Sequence, residues 1–269
     1  MLKVIDISEA NGSIDWKAVQ ASGVQGVILR AGYRGYGWSG TLVHDKMFHE
    51  NASKCRALAI PFGVYWLSQA TNVSEALAEA EFLHAHIKHY ELRLPVFLDS
   101  EWGEANGGTG RADRIGKKLR TECHLALLRK LREYGYNTGL YTGVYWFKDE
   151  IDGEAIRRDG HHIWLASVEL VEPTIPYDAW QYSWVSKVPG VQTNVDMNYF
   201  SEKLYRRMGK HYIDTEGHWA EAAIDAVTDA GLMTGRGDGI FDPDDTVTRA
   251  ELATVLQRVV SKFGLAPKD

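Results

Sequence analysis

The sequence predicts a TIM-like β/α barrel of eight strands with some helices missing, followed by a small all-α module. Three observations carry this. Eight short apolar segments, rich in β-branched and aromatic residues and bounded by turn residues, recur between residues 2 and 200. Helical stripes separate the earlier segments, the alternation that produces α/β folds with a parallel sheet. From residue 211 the charge changes: residues 211–269 hold 5 Lys+Arg against 11 Asp+Glu, whereas the first 210 hold 25 of each. The expected domains are a barrel over 1–206 and a second module over 211–263.

The chain enters its first strand at once, LKVIDIS (2–8). Ser13 or Asp15 can cap a short helix from Trp16 that stops at Gly23. GVILRAGY (26–33) is the second strand, and a Gly/aromatic loop (32–40) follows. Phe48, Ala52, Cys55 and Ala59 are spaced as one face of a helix. PFGVYWLS (61–68) is the third strand, and 73–90 the next helix. LPVFLDSEW (94–102) is the fourth strand. A Gly-rich loop (103–110) leads into a long helix from Ile115 to Tyr134, ended by Gly135. TGLYTG (138–143), HHIWLASV (161–168), DAWQYSW (178–184) and NVDMNYF (194–200) complete the eight. Short connections between the later strands leave little room for helices there.

In the second module, Trp219, Ala223, Val227 and Ala230 mark a helix stopped by Gly231. Thr248 and Glu251 form a capping box for the last helix, whose stripe is Leu252, Val255, Leu256 and Val259. Two short helices bury little area, so the module is expected to lean on the barrel or on another copy. The loop from Asp238 to Asp245 lacks the acid ladder and closing glutamate of a calcium loop, and reads as turn chemistry.

Composition excludes some classes. The chain is 45% hydrophobic and 25% charged, ordinary for a globular protein. A neutral large part with an acidic tail lacks the basic patch of a nucleic-acid binder. Two cysteines, Cys55 and Cys123, make no disulfide or metal framework and read as buried thiols. No apolar run is long enough for a bilayer, and no leader is visible before the first strand. No nucleotide-binding loop, nucleophile elbow or metal-ligand spacing is present, so no metal and no cofactor is expected.

The chemistry points to carboxylates. Side chains on a strand alternate faces, so Asp99 and Glu101 point the same way if the fourth strand reaches that far. Such a pair is either a solvated strand end or a site. In a β/α barrel the site forms at the C-terminal ends of the strands. Asp6, Tyr33, Tyr65, Asp99, Glu101, Tyr141, Gln181 and Asp196 all fall at or near such ends, and four acids converging on one rim favour a site. Paired carboxylates without metal or nucleotide motifs suit glycoside hydrolysis: one protonates the leaving oxygen, and the other stays ionised. The 9 Trp and 13 Tyr would supply faces for sugar rings.

The segments VIDIS, GVILRAGY, FGVYWLS, VFLDSEW, GLYTG, IWLASV, AWQYSW and NVDMNYF, in that order, resemble glycoside hydrolase family 25, the lysozymes of phage and bacterial origin. The resemblance implies cleavage of the β-1,4 bond between N-acetylmuramic acid and N-acetylglucosamine in peptidoglycan. It implies Glu101 as general acid, Asp99 as its ionised partner, and Asp6 and Asp196 as outer acids. Tyr33, Tyr65, Trp66, Tyr141, Trp180, Gln181 and Tyr182 are implied to line the groove. Leu67 stands where many relatives carry a second aromatic. Residues 211–263, with HWAEAAI, GLMTGRGDGIFDP and TRAELA, resemble one S-layer homology module. That implies binding of secondary cell-wall polysaccharide through Trp219 and Arg249, and such modules usually come in threes. The expected partners are therefore peptidoglycan glycan strands and wall polysaccharide, with no nucleic acid and no membrane, and self-association through the module. The expected place of action is the bacterial wall, reached by a phage endolysin made in the host cytoplasm and then released, with a secreted bacterial autolysin as the alternative. The rival readings are a chitinase-like glycosidase and an inactive wall-binding protein.

Overall fold

The computed structural model describes residues 1–103, 110–168, 171–205, 212, 214–215, 217–237 and 240–263, without the side chains of 222 and 229. The chain divides into two compact units, Met1–Arg206 and Arg207–Asp269.

The first unit is a closed barrel. Strand β1 (Leu2–Ile7) pairs in parallel with β2 (Gly26–Arg34). Strands β4 (Phe62–Leu67), β5 (Val96–Asp99), β6 (Thr138–Gly143), β7 (His162–Ala166) and β8 (Ala179–Ser186) continue from β2 in parallel. Strand β9 (Val195–Phe200) runs antiparallel to both β8 and β1 and closes the circle. A short β3 (Leu42–His44), absent from the sequence expectation, only folds back on the end of β2. The eight-stranded barrel with missing helices is therefore as expected, apart from the reversed last strand. That reversal matters for the site.

Helices cover the early strands. Asp15 caps α1 (Trp16–Ala21) by accepting from the backbone N–H groups of Lys17 and Ala18. Helices α2 (Phe48–Ala57) and α3 (Val73–Ile87) follow, the latter capped by Asn72. Helix α4 (Lys117–Glu133) ends before Gly135, whose φ of 88° is the left-handed geometry that glycine adopts without penalty. A six-residue α5 (Gly153–Arg158), too short to show a stripe, lies between β6 and β7. Among the described residues, the connections from β7 to β8 and from β8 to β9 carry no helix.

Strand alternation sorts the core into two layers. Val27, Leu29, Val64, Trp66 and Leu98 point outward and pack under the helices with Cys55 and Cys123. Val4, Ile28, Phe97, Trp164 and Phe200 point inward and plug the barrel. Above that plug, on the same inward positions, the polar residues begin.

In the second unit, α6 (Glu221–Asp229) buries Ile224, while Ala223, expected on its inner stripe, is exposed. Helix α7 (Arg249–Phe263) carries the expected capping box: Glu251 N–H donates to Thr248 Oγ1 (3.2 Å) and Thr248 N–H to Glu251 Oε2 (2.8 Å). No described residue of α7 is buried within the chain, and Leu252, Leu256, Val260 and Phe263 are exposed. Part of the Asp238–Asp245 loop lies outside the described residues. In the rest, Asp214 accepts from the N–H groups of Phe241 and Asp242, and Arg236 pairs with Asp242 and Asp245.

Candidate active site

One small cavity of about 70 Å³ opens at the rim of the barrel. Asp6, Tyr65, Asp99, Glu101, Tyr141, Trp164, Gln181 and Asp196 line it. All four expected acids meet there, by three different routes. Asp6 and Asp99 sit at or next to the C-terminal ends of β1 and β5. Strand β5 stops at Asp99, so Glu101 stands in the loop beyond rather than on the strand. Asp196 is near the start of β9, not its end. The antiparallel run of β9 brings that start to the rim and places Asp196 directly opposite Asp6.

A polar scaffold holds the acids. Asn198 Nδ2 donates to Asp6 Oδ2 (2.9 Å) and is itself held by Trp164 Nε1 on its Oδ1 (2.9 Å). Gln181 Nε2 donates to Asp6 Oδ2 (3.1 Å) and Asp196 Oδ2 (3.4 Å). Its Oε1 accepts from Tyr141 OH (2.8 Å) and Trp184 Nε1 (3.0 Å). Two donors and two acceptor sites exhaust an amide, so Gln181 orients acids and aromatics and has no capacity left for a ligand. Arg30, on β2 beneath the rim, pairs with Asp45 (2.8 Å) and Glu9 (3.1 Å).

Electrostatics set the protonation. Burial pushes the Glu101 carboxyl up to about 7, helped by the nearby Asp6 charge, even though part of Glu101 is open to solvent at the cavity mouth. Burial and Asp6 push Asp196 up to about 8. Asp6 is raised by burial, with Asn198 and Gln181 opposing the shift. Asp99 is raised well above the usual carboxylate range, by burial first and then by the charges of Glu101 and Asp6. The expectation that Asp99 stays charged while Glu101 alone is raised does not hold. The reason is physical: Asp99 is only 4% exposed, and its Oδ1 has no hydrogen-bond partner among the described residues. A buried carboxylate lacking donors favours its proton.

Several expected groove residues lie elsewhere. Trp66 is fully buried on the outward face of β4, where its Nε1 donates to Glu79 Oε2 (3.1 Å). Its neighbour Tyr65 takes the inward position, because adjacent residues of a strand cannot share a face. The same alternation turns Trp180 and Tyr182 outward on β8, where they meet Tyr177 and Tyr199. Tyr33 stands beside Arg30, whose guanidinium lies 5.4 Å from its ring centre. A bulge between Arg30 and Gly32 puts Tyr33 in register with Leu67, which in turn pairs with Asp99.

The sequence reading missed Trp164, Asn198, Trp184 and Tyr36. Strand alternation in IWLASV and NVDMNYF offered a signal for the first two. Tyr36, in the loop after β2, is pushed up to about 12 by burial and by the charges of Asp99 and Glu101. Among the described residues, no group of three or more His, Cys, Asp or Glu side chains is arranged to hold a metal ion.

In the second unit, Trp219 precedes α6 and is 89% exposed, and Arg249, the first residue of α7, is exposed. Neither lines that unit's groove of about 610 Å³ between Met233 and Arg258.

Comparison with known proteins places these features. Residues 5–191 match the family model described as glycosyl hydrolases family 25, and residues 212–253 match the S-layer homology domain. An autolytic lysozyme from Clostridium acetobutylicum is 24% identical over 265 residues, covering 95% of this chain and 74% of the relative. A lysozyme from Streptomyces globisporus is 25% identical over 213 residues, covering 75% of this chain and 68% of the relative. Among solved structures, a modular autolysin from Streptococcus pneumoniae superposes with a TM-score of 0.63 at 28% identity, covering 73% of this chain. The chain spans 46% of the length of that autolysin.

Proposed function

The chain belongs to glycosyl hydrolases family 25, and we propose that it is a lysozyme hydrolysing the β-1,4 bond between N-acetylmuramic acid and N-acetylglucosamine in peptidoglycan. One observation carries the reading: four carboxylates converge on one small cavity, in a chain similar over most of its length to two lysozymes.

Glu101 is the general acid. A carboxyl held near 7 keeps its proton in mildly acidic and neutral conditions and can deliver it to the glycosidic oxygen. Asp99 is its partner, and its bare Oδ1 suits the N–H of the substrate's 2-acetamido group. That donor lowers the pKa of Asp99 on binding, so the substrate itself creates the charged partner that burial disfavours. The acetamido oxygen then attacks C1 as the leaving oxygen takes the proton from Glu101. Glu101 next takes a proton from the water that opens the cyclic intermediate. Asp6 keeps the proton on Glu101 by like-charge repulsion, and Tyr65 and Tyr141 shape the sugar site.

Residues 212–253 are an S-layer homology domain. It holds the enzyme at the bacterial wall by binding secondary cell-wall polysaccharide, with Trp219 and Arg249 as contacts, and the exposed stripe of α7 supports self-association. This reading covers an endolysin and an autolysin equally.

Release of reducing sugar ends from purified peptidoglycan and from chitin tests the activity. Wild type is expected to act on peptidoglycan, and Glu101→Gln to lose that activity while keeping its fold. Preference for chitin, or no activity on either, would overturn the reading.

A further inference from the structure

Ser100 separates the two acids of the D-S-E segment. Strand alternation sends its side chain away from theirs, out of the barrel and toward α4. There, His124 Nε2 lies 2.8 Å from Ser100 Oγ, with Ser100 3% and His124 4% exposed. A serine this close to a histidine suggests a nucleophile, but both groups face away from the cavity and neither lines it. Their placement has another consequence. Strand β5 ends at Asp99, so no strand ladder fixes Glu101. What holds the chain between the two acids is Ser100 itself. Its N–H donates to Tyr141 O (3.1 Å), its carbonyl accepts from Thr142 Oγ1 (2.7 Å), and its hydroxyl meets His124.

We propose that Ser100 and His124 are a positioning pair, locking the segment between Asp99 and Glu101 so that both carboxyls hold the geometry the reaction needs. The proposal rests on the assignment of Asp99 and Glu101 as the reacting acids. Burial, and the neighbouring Arg120 cation, push the imidazole down to about 3, so the ring is neutral while the enzyme works. A neutral ring places no cation behind the acids, which leaves Glu101 able to keep its proton. Arg120 is occupied by the carbonyls of Ala112 and Asp113 and by Glu150. Histidine and serine are thus left to each other.

The test is steady-state kinetics of the full chain on soluble peptidoglycan fragments. Ser100→Ala and His124→Asn, whose shorter amide cannot reach Ser100, should each lower kcat by about 10- to 100-fold, the scale of a small misplacement of reacting groups. KM should stay near wild type, because the ligand-facing residues are untouched. His124→Gln, which returns a polar nitrogen to the Nε2 position, should recover most of kcat. The double variant should be no slower than the slower single variant, since both break one contact. A folded Ser100→Ala or His124→Asn with wild-type kcat overturns the pair, as does a loss that tracks melting temperature and is not relieved by His124→Gln. Glu101→Gln measured alongside separates the failures. If it is inactive while Ser100→Ala is normal, only the positioning pair falls. If it is active, the assignment of the acids falls too.

Discussion

Asp6 and Asp196 face each other directly across the antiparallel β1–β9 pair. Asp6 adds to the reluctance of Asp196 to ionise, whereas the hydrogen bond with Asp196 favours the charged form of Asp6, and one amide, Gln181 Nε2, donates to both. Like charges directly opposite on a sheet are destabilising, so the closing seam of the barrel stores a cost to stability at the place where the proposed chemistry occurs.

That cost has a pH signature. Asp196 titrates near 8 in the folded chain and near 3.8 when unfolded. Between those values the native state holds a proton that the unfolded state has released, so stability falls as pH rises through this window. Asp196→Asn should therefore stabilise the protein by about 1–3 kcal/mol at pH 8 and little at pH 4. Urea unfolding at the two pH values checks this, and equal effects at both would contradict it.

Activity should carry the mark of a raised carboxyl as well. Glu101 must be protonated to act as the acid, so kcat/KM should decline as pH rises through about 7. Glu101→Gln should lose about 100- to 10,000-fold, the usual contribution of a positioned acid. A flat profile from pH 5 to 9 would rule out this role for Glu101.

Neighbours on β4 should behave differently. Trp66→Phe removes the indole donor to Glu79, a fully buried carboxylate paired with Arg34 at 2.6 Å. Its expected cost is about 1–3 kcal/mol of stability, with KM unchanged. Tyr65→Phe, next in sequence but facing the cavity, should change KM or kcat with little effect on melting. Thermal denaturation beside kinetics distinguishes the two.

A stack of histidines behind β3 predicts acid sensitivity. His86 and His44 stack with ring centres 3.7 Å apart, and His86 Nε2 is buried without a hydrogen-bond partner among the described residues. Burial, with His44 and His49 nearby, pushes it down to about 4. The unfolded chain takes up this proton near 6.5 and the folded chain resists it, so stability is lost as pH falls from about 6.5 to about 4. His86→Leu should gain about 1–2 kcal/mol at pH 5 and less at pH 7.5, as measured by denaturant unfolding.

The second unit offers a size test. With Leu252, Leu256, Val260 and Phe263 exposed on α7, the full chain should self-associate at micromolar concentration, and a chain ending near residue 206 should be monomeric. Light scattering coupled to size exclusion reads this directly, and a monomeric full chain would remove the idea.

Much of this protein was legible in its sequence because the signals are local. Strand alternation, helix stripes, the Asp15 cap, the Gly135 stop and the Thr248–Glu251 box all depend on residues close in the chain. The same period-two rule, applied strictly, would have separated Tyr65 from Trp66 and Gln181 from Trp180 and Tyr182. Other features had no local signal. That β9 runs backward, and so brings the start of a strand to the rim with Asp196, depends on which strands it pairs with. That Ser100 meets His124, twenty-four residues away on another element, depends on how α4 packs against β5. Protonation depends on tertiary structure most of all. The sequence by itself determined which acids are present and that they share one rim. Only the folded barrel decided how deeply each is buried and which donors each receives, and burial against available donors is what sets whether a carboxyl keeps its proton.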